Sequence, residues 1–216
     1  MAERFPGYEV MSKRDTPSWN AQTRRVIDGR LALDPERHDV FTDDEWATLK
    51  AVCARLLPQP PERTSPVPVA ALIDRKMQGS GDGYRDARLP PMREAWRLGL
   101  SAIEAEAAAR HARPFHQLSA DEQDALLTAV QNGYAAHPAW AGMKPELFFA
   151  KRMLPDCVGA YYGHPTAWNE IGFGGPAAPR GYVRMDIGRR DPWEASEARP
   201  GREDEARREN ARVART

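Results

Sequence analysis

Five histidines and two cysteines are the residues of this 216-residue chain best suited to acid–base, nucleophilic or metal chemistry. His38, His111, His116, His137 and His164 are scattered. His111 and His116 stand five apart around Pro114, which is not the three- or four-residue spacing that puts two ligands on one helix face. No Glu-x-x-His pair occurs to serve a carboxylate-bridged metal. Cys53 and Cys157 are too few for a thiolate metal site, and no Cys-x-x-Cys is present. Neither lies in a recognisable nucleophile setting, and there is no Gly-x-Ser-x-Gly elbow. Each sits in an apolar stretch, which predicts two buried free thiols. Whether they pair depends on a Cα separation below ~7 Å, which spacing does not show. His164 precedes a proline and reads as a loop histidine with a structural hydrogen bond. With Asn169 and Glu170 it is the one polar group that a stand-alone enzyme could use.

The most informative stretch runs from Ala160 to Pro176, reading Tyr161-Tyr162-Gly163-His164-Pro165 and then Ile171-Gly172-Phe173-Gly174-Gly175-Pro176, with Trp168 between. From Gly163 to Arg184, a span that includes Tyr182, there is no useful period of 3.6 or 2. Each aromatic buries on the order of 150–250 Å², too much to leave in water. These groups either cover the chain's own core or enter a partner's surface. The glycines let backbone press close in both cases, so both readings stand on the residues alone.

Helices must position that segment. Thr42-Asp43-Asp44-Glu45 is a capping box, followed by an apolar stripe of Trp46, Leu49, Val52, Cys53, Leu56 and Leu57 that Pro58 stops. A proline-rich linker leads to a short helix over Val67 to Met77. Pro90-Pro91 opens a third helix ending near His111. Ser119-Ala120-Asp121-Glu122 is a second capping box, and its helix ends at Gly133 or at His137-Pro138. Pro145 suits a first turn, and Glu146 to Tyr162 forms the last strong helix, which Pro155 should kink or split. Before these, Asp15-Thr16-Pro17-Ser18-Trp19 reads as the start of a short helix, and Phe5-Pro6-Gly7-Tyr8 as a turn. From Gly188 onward alternating charge predicts a frayed helix or a disordered tail. No run of alternating β-branched residues is visible. The fold class is therefore all-α, a single helical domain of about five main helices with extended N- and C-terminal arms. Residues 1–40 form an arm with a short helix, 41–162 the helical body, 163–187 a Gly/Pro/aromatic docking segment and 188–216 a charged tail.

Composition narrows the partners. Lys plus Arg and Asp plus Glu are both 31, so the formal net charge is +0, which disfavours nucleic acid as a partner. No run of eighteen apolar residues exists to span a membrane. Nineteen prolines and sixteen glycines predict long irregular stretches. Arg24-Arg25 is a twin-Arg pair, yet Val26-Ile27-Asp28-Gly29-Arg30 follows it instead of an apolar export segment. The chain is expected to be cytoplasmic as synthesised, with the periplasm reached by co-export as the alternative. No Gly-x-Gly-x-x-Gly follows a strand pattern, and no cluster or haem motif occurs.

The order Trp46, Leu56-Leu57-Pro58, Leu72-Ile73-Asp74, Phe148-Phe149, Tyr161-Tyr162-Gly163-His164-Pro165 and Ile171-Gly172-Phe173-Gly174-Gly175-Pro176 resembles the gluconate 2-dehydrogenase subunit 3 family. The resemblance covers residues 40 to 185, and the aromatic–glycine segment is its specific part. It implies a non-catalytic small subunit of a heteromeric sugar or glycoside dehydrogenase, supporting the folding, stability or maturation of a large subunit. That partner would be a GMC-type oxidoreductase carrying FAD, passing electrons to a cytochrome c or another acceptor. This chain would hold no cofactor. Many such subunits begin with a twin-Arg export signal, and this one does not. On this reading the partner-facing residues are Trp19, His164, Trp168, Ile171, Phe173, Arg180, Tyr182, Arg184 and Trp193. The aromatic and arginine types suit an interface centre, and Pro176 and Pro179 restrain the loop before docking.

Overall fold

The computed structural model describes residues 4–79, 86–177, 181, 191 and 193–213. Among them there is no β-strand, and the chain is all-α. In chain order the helices are α1 (Ala21–Leu31), α2 (Asp43–Leu56), α3 (Val69–Gln78), α4 (Met92–His111), α5 (Ala120–Gln131), α6 (Pro145–Phe148), α7 (Leu154–Tyr162), α8 (Pro165–Ile171) and α9 (Glu203–Val213). They fall into two compact units, one of Leu33–Tyr161 and one made of both chain ends, Met1–Ala32 with Tyr162–Thr216.

In the unit of Leu33–Tyr161 both capping boxes form. The Thr42 hydroxyl accepts from the Glu45 N–H while the Glu45 carboxylate accepts from the Thr42 N–H, and Ser119 and Glu122 do the same for α5. The apolar stripes then meet in one core. Trp96 of α4 lies edge-on to Phe148 at 5.6 Å between ring centres, and Trp140 packs on the same ring at 6.0 Å. Close approach of α4 to Phe148 requires Gly99, because a Cβ there would sit 2.3 Å from the ring.

Buried carboxylates brace this core. Asp156 accepts from the Trp96 indole N–H at 2.8 Å and from Lys76 at 2.8 Å, with Arg152 at 3.4 Å. Glu106 accepts from the His137 N–H at 2.8 Å and pairs with Arg110. Asp74 of α3 accepts from the N–H groups of Asp39 (2.9 Å), Val40 (2.9 Å) and Phe41 (3.2 Å), fixing the chain that leads into α2. Burial alone would raise the Asp74 pKa. The three backbone donors and Gln78 outweigh it, so the carboxyl titrates below its ordinary 3.8.

Pro155 lies in the first turn of α7, and the expected helix over Glu146 to Tyr162 is split just before it. A π-helical turn over Phe149–Met153 joins α6 to α7, and the Leu154 N–H reaches back five residues to the Phe149 carbonyl. Proline has no N–H for the fourth carbonyl before it. The wide turn rearranges the ladder just where that donor is missing.

The chain ends depart further from the expected arms. Phe5-Pro6-Gly7-Tyr8 is a turn, with Gly7 at φ +69° and the Tyr8 N–H on the Phe5 carbonyl at 3.2 Å. The first helix does not start at Pro17. Thr16 closes a turn on Lys13, and α1 begins at Ala21, where Asn20 caps the Thr23 N–H. Of the two expectations for the charged tail, the helix is the one found, over Glu203–Val213. Ala206, Asn210 and Val213 form a buried stripe on α9. The Asn210 amide donates to the carbonyls of Pro6 (2.9 Å) and Ser196 (3.0 Å) and accepts from the Ser196 N–H (2.6 Å).

Two substitutions test this account. Gly99→Ala should destabilise the chain by about 2–3 kcal/mol through overpacking against Phe148, read as a lower denaturant midpoint. Asp74→Asn leaves one acceptor where three backbone donors converge and should cost about 2–3 kcal/mol at neutral pH. Because the folded pKa is depressed, the Asp74 contribution is complete above the ordinary carboxyl value. It disappears as pH falls through the lower folded value. The stability gap between wild type and Asp74→Asn should therefore narrow below about pH 4.

Candidate functional site

The candidate docking segment is built into a core that the chain ends make with each other. Phe5, Tyr8, Val10, Trp19, Ile27, Trp168, Ala195 and Val213 form one buried cluster, with Met11 and Trp193 packed against it. Trp19 meets Trp168 edge-on at 6.4 Å, and Trp168 meets Phe173 edge-on at 5.5 Å. The Trp168 indole N–H donates to the Tyr162 carbonyl at 2.7 Å. Lys13 is fully buried here, donating to the Trp193 carbonyl and lying 5.4 Å from the centre of the Tyr8 ring.

Glycines permit this packing. Gly172 ends α8 in the left-handed region at φ +65°, and the Phe173 N–H then returns to the Trp168 carbonyl at 2.9 Å. A Cβ at Gly172 would meet the Phe5 ring at 2.5 Å. Gly175, at φ +73°, lies against both indoles, and a Cβ there would come within 2.8 Å of Trp19 and 3.3 Å of Trp168.

The expected partner-facing residues separate accordingly. Trp19 and Trp168 are 1% and 3% exposed, so the structure places both inside the chain's own core and not on its surface. His164 is also buried. It caps α8, with Nδ1 accepting from the Thr166 N–H at 3.3 Å. Asn169 uses both ends of its amide within the fold, accepting from the Val10 N–H at 2.8 Å and donating to Glu9 at 3.0 Å. Of the polar trio, His164 thus caps α8, Asn169 holds α8 against the 3-10 turn Val10–Lys13, and Glu170 is exposed. Trp193 is half-buried. Ile171 and Phe173 stay 43% and 37% exposed, with Tyr162, which sequence reasoning passed over, at 42%. Arg180, Tyr182 and Arg184 lie outside the described residues.

Among the described residues no glycine loop joins a strand to a helix, the arrangement whose converging backbone donors cradle a dinucleotide pyrophosphate. An open depression of about 1140 Å³ lies beside α4. The arginines that line it are engaged with their own chain: Arg88 with Asp86, Arg93 with the Met77 carbonyl and Arg97 with the Val40 carbonyl. Among the described residues no three His, Cys, Asp or Glu side chains converge on a metal position, and no helix is long and apolar enough to cross a membrane.

A family model described as gluconate 2-dehydrogenase subunit 3 matches residues 43–175, more than half of the chain. The match runs from the first residue of α2 to the glycine seated against Trp19 and Trp168. No curated protein and no solved structure matches the chain.

Trp168→Ala should behave as a core deletion, removing about 3–5 kcal/mol from the unit made by the chain ends. Phe173→Ser, at a partly exposed ring, should cost far less. Near-ultraviolet circular dichroism and limited proteolysis between residues 1–32 and 162–213 would register the difference, and equal damage from both would contradict the packing described.

Proposed function

Since the chain belongs to the gluconate 2-dehydrogenase subunit 3 family, we propose that it is the non-catalytic small subunit of a heteromeric FAD-dependent sugar or glycoside dehydrogenase. In this reading it supports the folding, stability or maturation of a GMC-type large subunit. The observation that carries the proposal is the use of the segment's polar residues. His164 and Asn169, the best candidates for chemistry, are consumed in capping and bracing α8. Outward on the segment stand three large apolar residues, Tyr162, Ile171 and Phe173, with Glu170 exposed beside them. Such a surface suits contact with another protein better than turnover of a small polyol.

FAD then belongs to the large subunit, where it would supply the hydride-accepting chemistry, and a cytochrome c or another acceptor would take the electrons. The chain is made in the cytoplasm and reaches the periplasm, where it does so, as a folded passenger of the large subunit.

The test is dye-linked sugar oxidation by the chain alone, by the large subunit alone and by the two co-expressed. The isolated chain should show no turnover, and flavin-loaded large subunit should be recovered only, or in much greater yield, on co-expression. Replacing Ile171 and Phe173 together by Ser should weaken co-purification about tenfold or more, while leaving the helical circular dichroism unchanged. Turnover by the isolated chain would sink the proposal.

A further inference from the structure

We infer that Cys53 and Cys157 form a dithiol modification site, closed to an intramolecular disulfide between α2 and α7 by exchange with a small-molecule disulfide. The inference is independent of the proposed function. These are the only cysteines of the chain and stand 104 residues apart, yet the fold brings their sulfurs to 3.9 Å in the core. Both are free thiols in the structure. A disulfide needs a sulfur separation of ~2.0 Å, so the atoms must close by roughly half their present distance, a movement of the order that χ1 rotation supplies.

The site has an approach from one side. A cavity of about 200 Å³ is lined by Cys53 with Leu57, Pro66, Val67, Pro68 and Val69. Cys157 does not line it and is fully buried, whereas Cys53 keeps 6% of its surface. Cys53 is therefore the first thiol to react and Cys157 the resolving one. The Cys53 thiolate attacks one sulfur of the small disulfide, whose sulfur–sulfur bond breaks and releases one thiol. The Cys157 thiolate then attacks the Cys53 sulfur of the mixed disulfide and releases the second. Two protein thiols lose two electrons in all, the small disulfide gains them, and the two protons leave on the released thiols. The hydrogen bond with Cys157 and then burial push the Cys53 thiol well above its ordinary pKa. Because the thiolate is the nucleophile, exchange in the folded chain is slow. An excess of small thiols drives both exchange steps backward and so favours the reduced pair.

The link would close a loop of about a hundred residues, and a cross-link restrains the unfolded chain more the longer the loop it closes. The test uses the purified full chain. It is incubated with oxidised glutathione when folded, and separately refolded in the same buffer, then denatured, alkylated and mass-analysed whole and as peptides. The wild type should lose both alkylation sites together, yield a peptide joining Cys53 to Cys157, retain no glutathione, and melt about 5–10 °C higher than the reduced chain. Folded Cys157→Ser should trap glutathione on Cys53, and folded Cys53→Ser should remain unmodified. Two alkylatable thiols after both treatments would overturn the inference, as would glutathione left on wild-type Cys53 without a cross-link, or cross-links only between molecules. The wild-type measurement decides the matter even if a variant fails to fold.

Discussion

The edge-on contact of Trp19 with Trp168 can exist only because residue 175 has no side chain. A Cβ there would overlap the Trp19 ring at 2.8 Å, and the φ of +73° is one that other residues adopt with strain. Once that contact is made, the chain ends must follow. Trp168 is anchored by its indole N–H to the Tyr162 carbonyl, and Asn169 one residue on captures Val10 and Glu9. The N-terminal segment is thereby drawn alongside α8, Phe5 comes to rest against Gly172, and α9 closes the cluster through Val213 and Asn210. Aromatic edge contacts of this kind contribute about 0.5–1.5 kcal/mol beyond burial. Their larger role here is geometric, because each fixes the position of the next.

A different device organises residues 33–161. Its helices carry three carboxylates into the interior, and each is satisfied by donors that tie separate elements together. Asp74 gathers three successive backbone N–H groups, Glu106 holds the loop at His137, and Asp156 joins α7 to Trp96 of α4 and Lys76 of α3. A buried carboxylate without such partners would be strongly destabilising. With them it specifies one arrangement of the helices, since sliding any of them leaves donors and acceptors unpaired.

These two patterns bear on function in the same way. Polar residues that look like chemistry in a linear reading are occupied in holding the fold. His164 is a helix cap, Asn169 a brace, and the arginines beside the depression at α4 are bonded to their own chain. On the proposed reading as an accessory subunit, the chain needs no reacting group of its own, but it does need a rigid shape and an outward apolar surface. Ile171 at the end of α8 and Phe173 just beyond it reach such a surface from the helix whose inner face carries Trp168, and Tyr162 reaches it from the end of α7.

Local chemistry was sufficient for much of the helical body. Thr42 with Glu45 and Ser119 with Glu122 declare helix starts by a pattern four residues long, and Pro58 and Gly133 declare stops by what their backbones cannot or can do. The family was legible in the aromatic–glycine segment for the same reason, because glycine density beside large aromatics has few structural uses. Whether those aromatics turn inward or outward was not legible. That depends on the segments of residues 4–32 and 193–213, more than a hundred positions away along the chain in Trp19's case, and no local period encodes such pairing. Lys13 gave no sign of burial, since one lysine reads like another until a distant carbonyl is brought to it. The α9 stripe of Ala206, Asn210 and Val213 was present in the residues but hidden by the charge around it. Cys53 and Cys157 likewise showed only that each prefers an apolar setting. Their meeting at 3.9 Å is a property of how α2 and α7 pack. Helix identity was thus determined by residues within a few positions of one another, whereas burial and pairing were decided by contacts that exist only once the chain has closed.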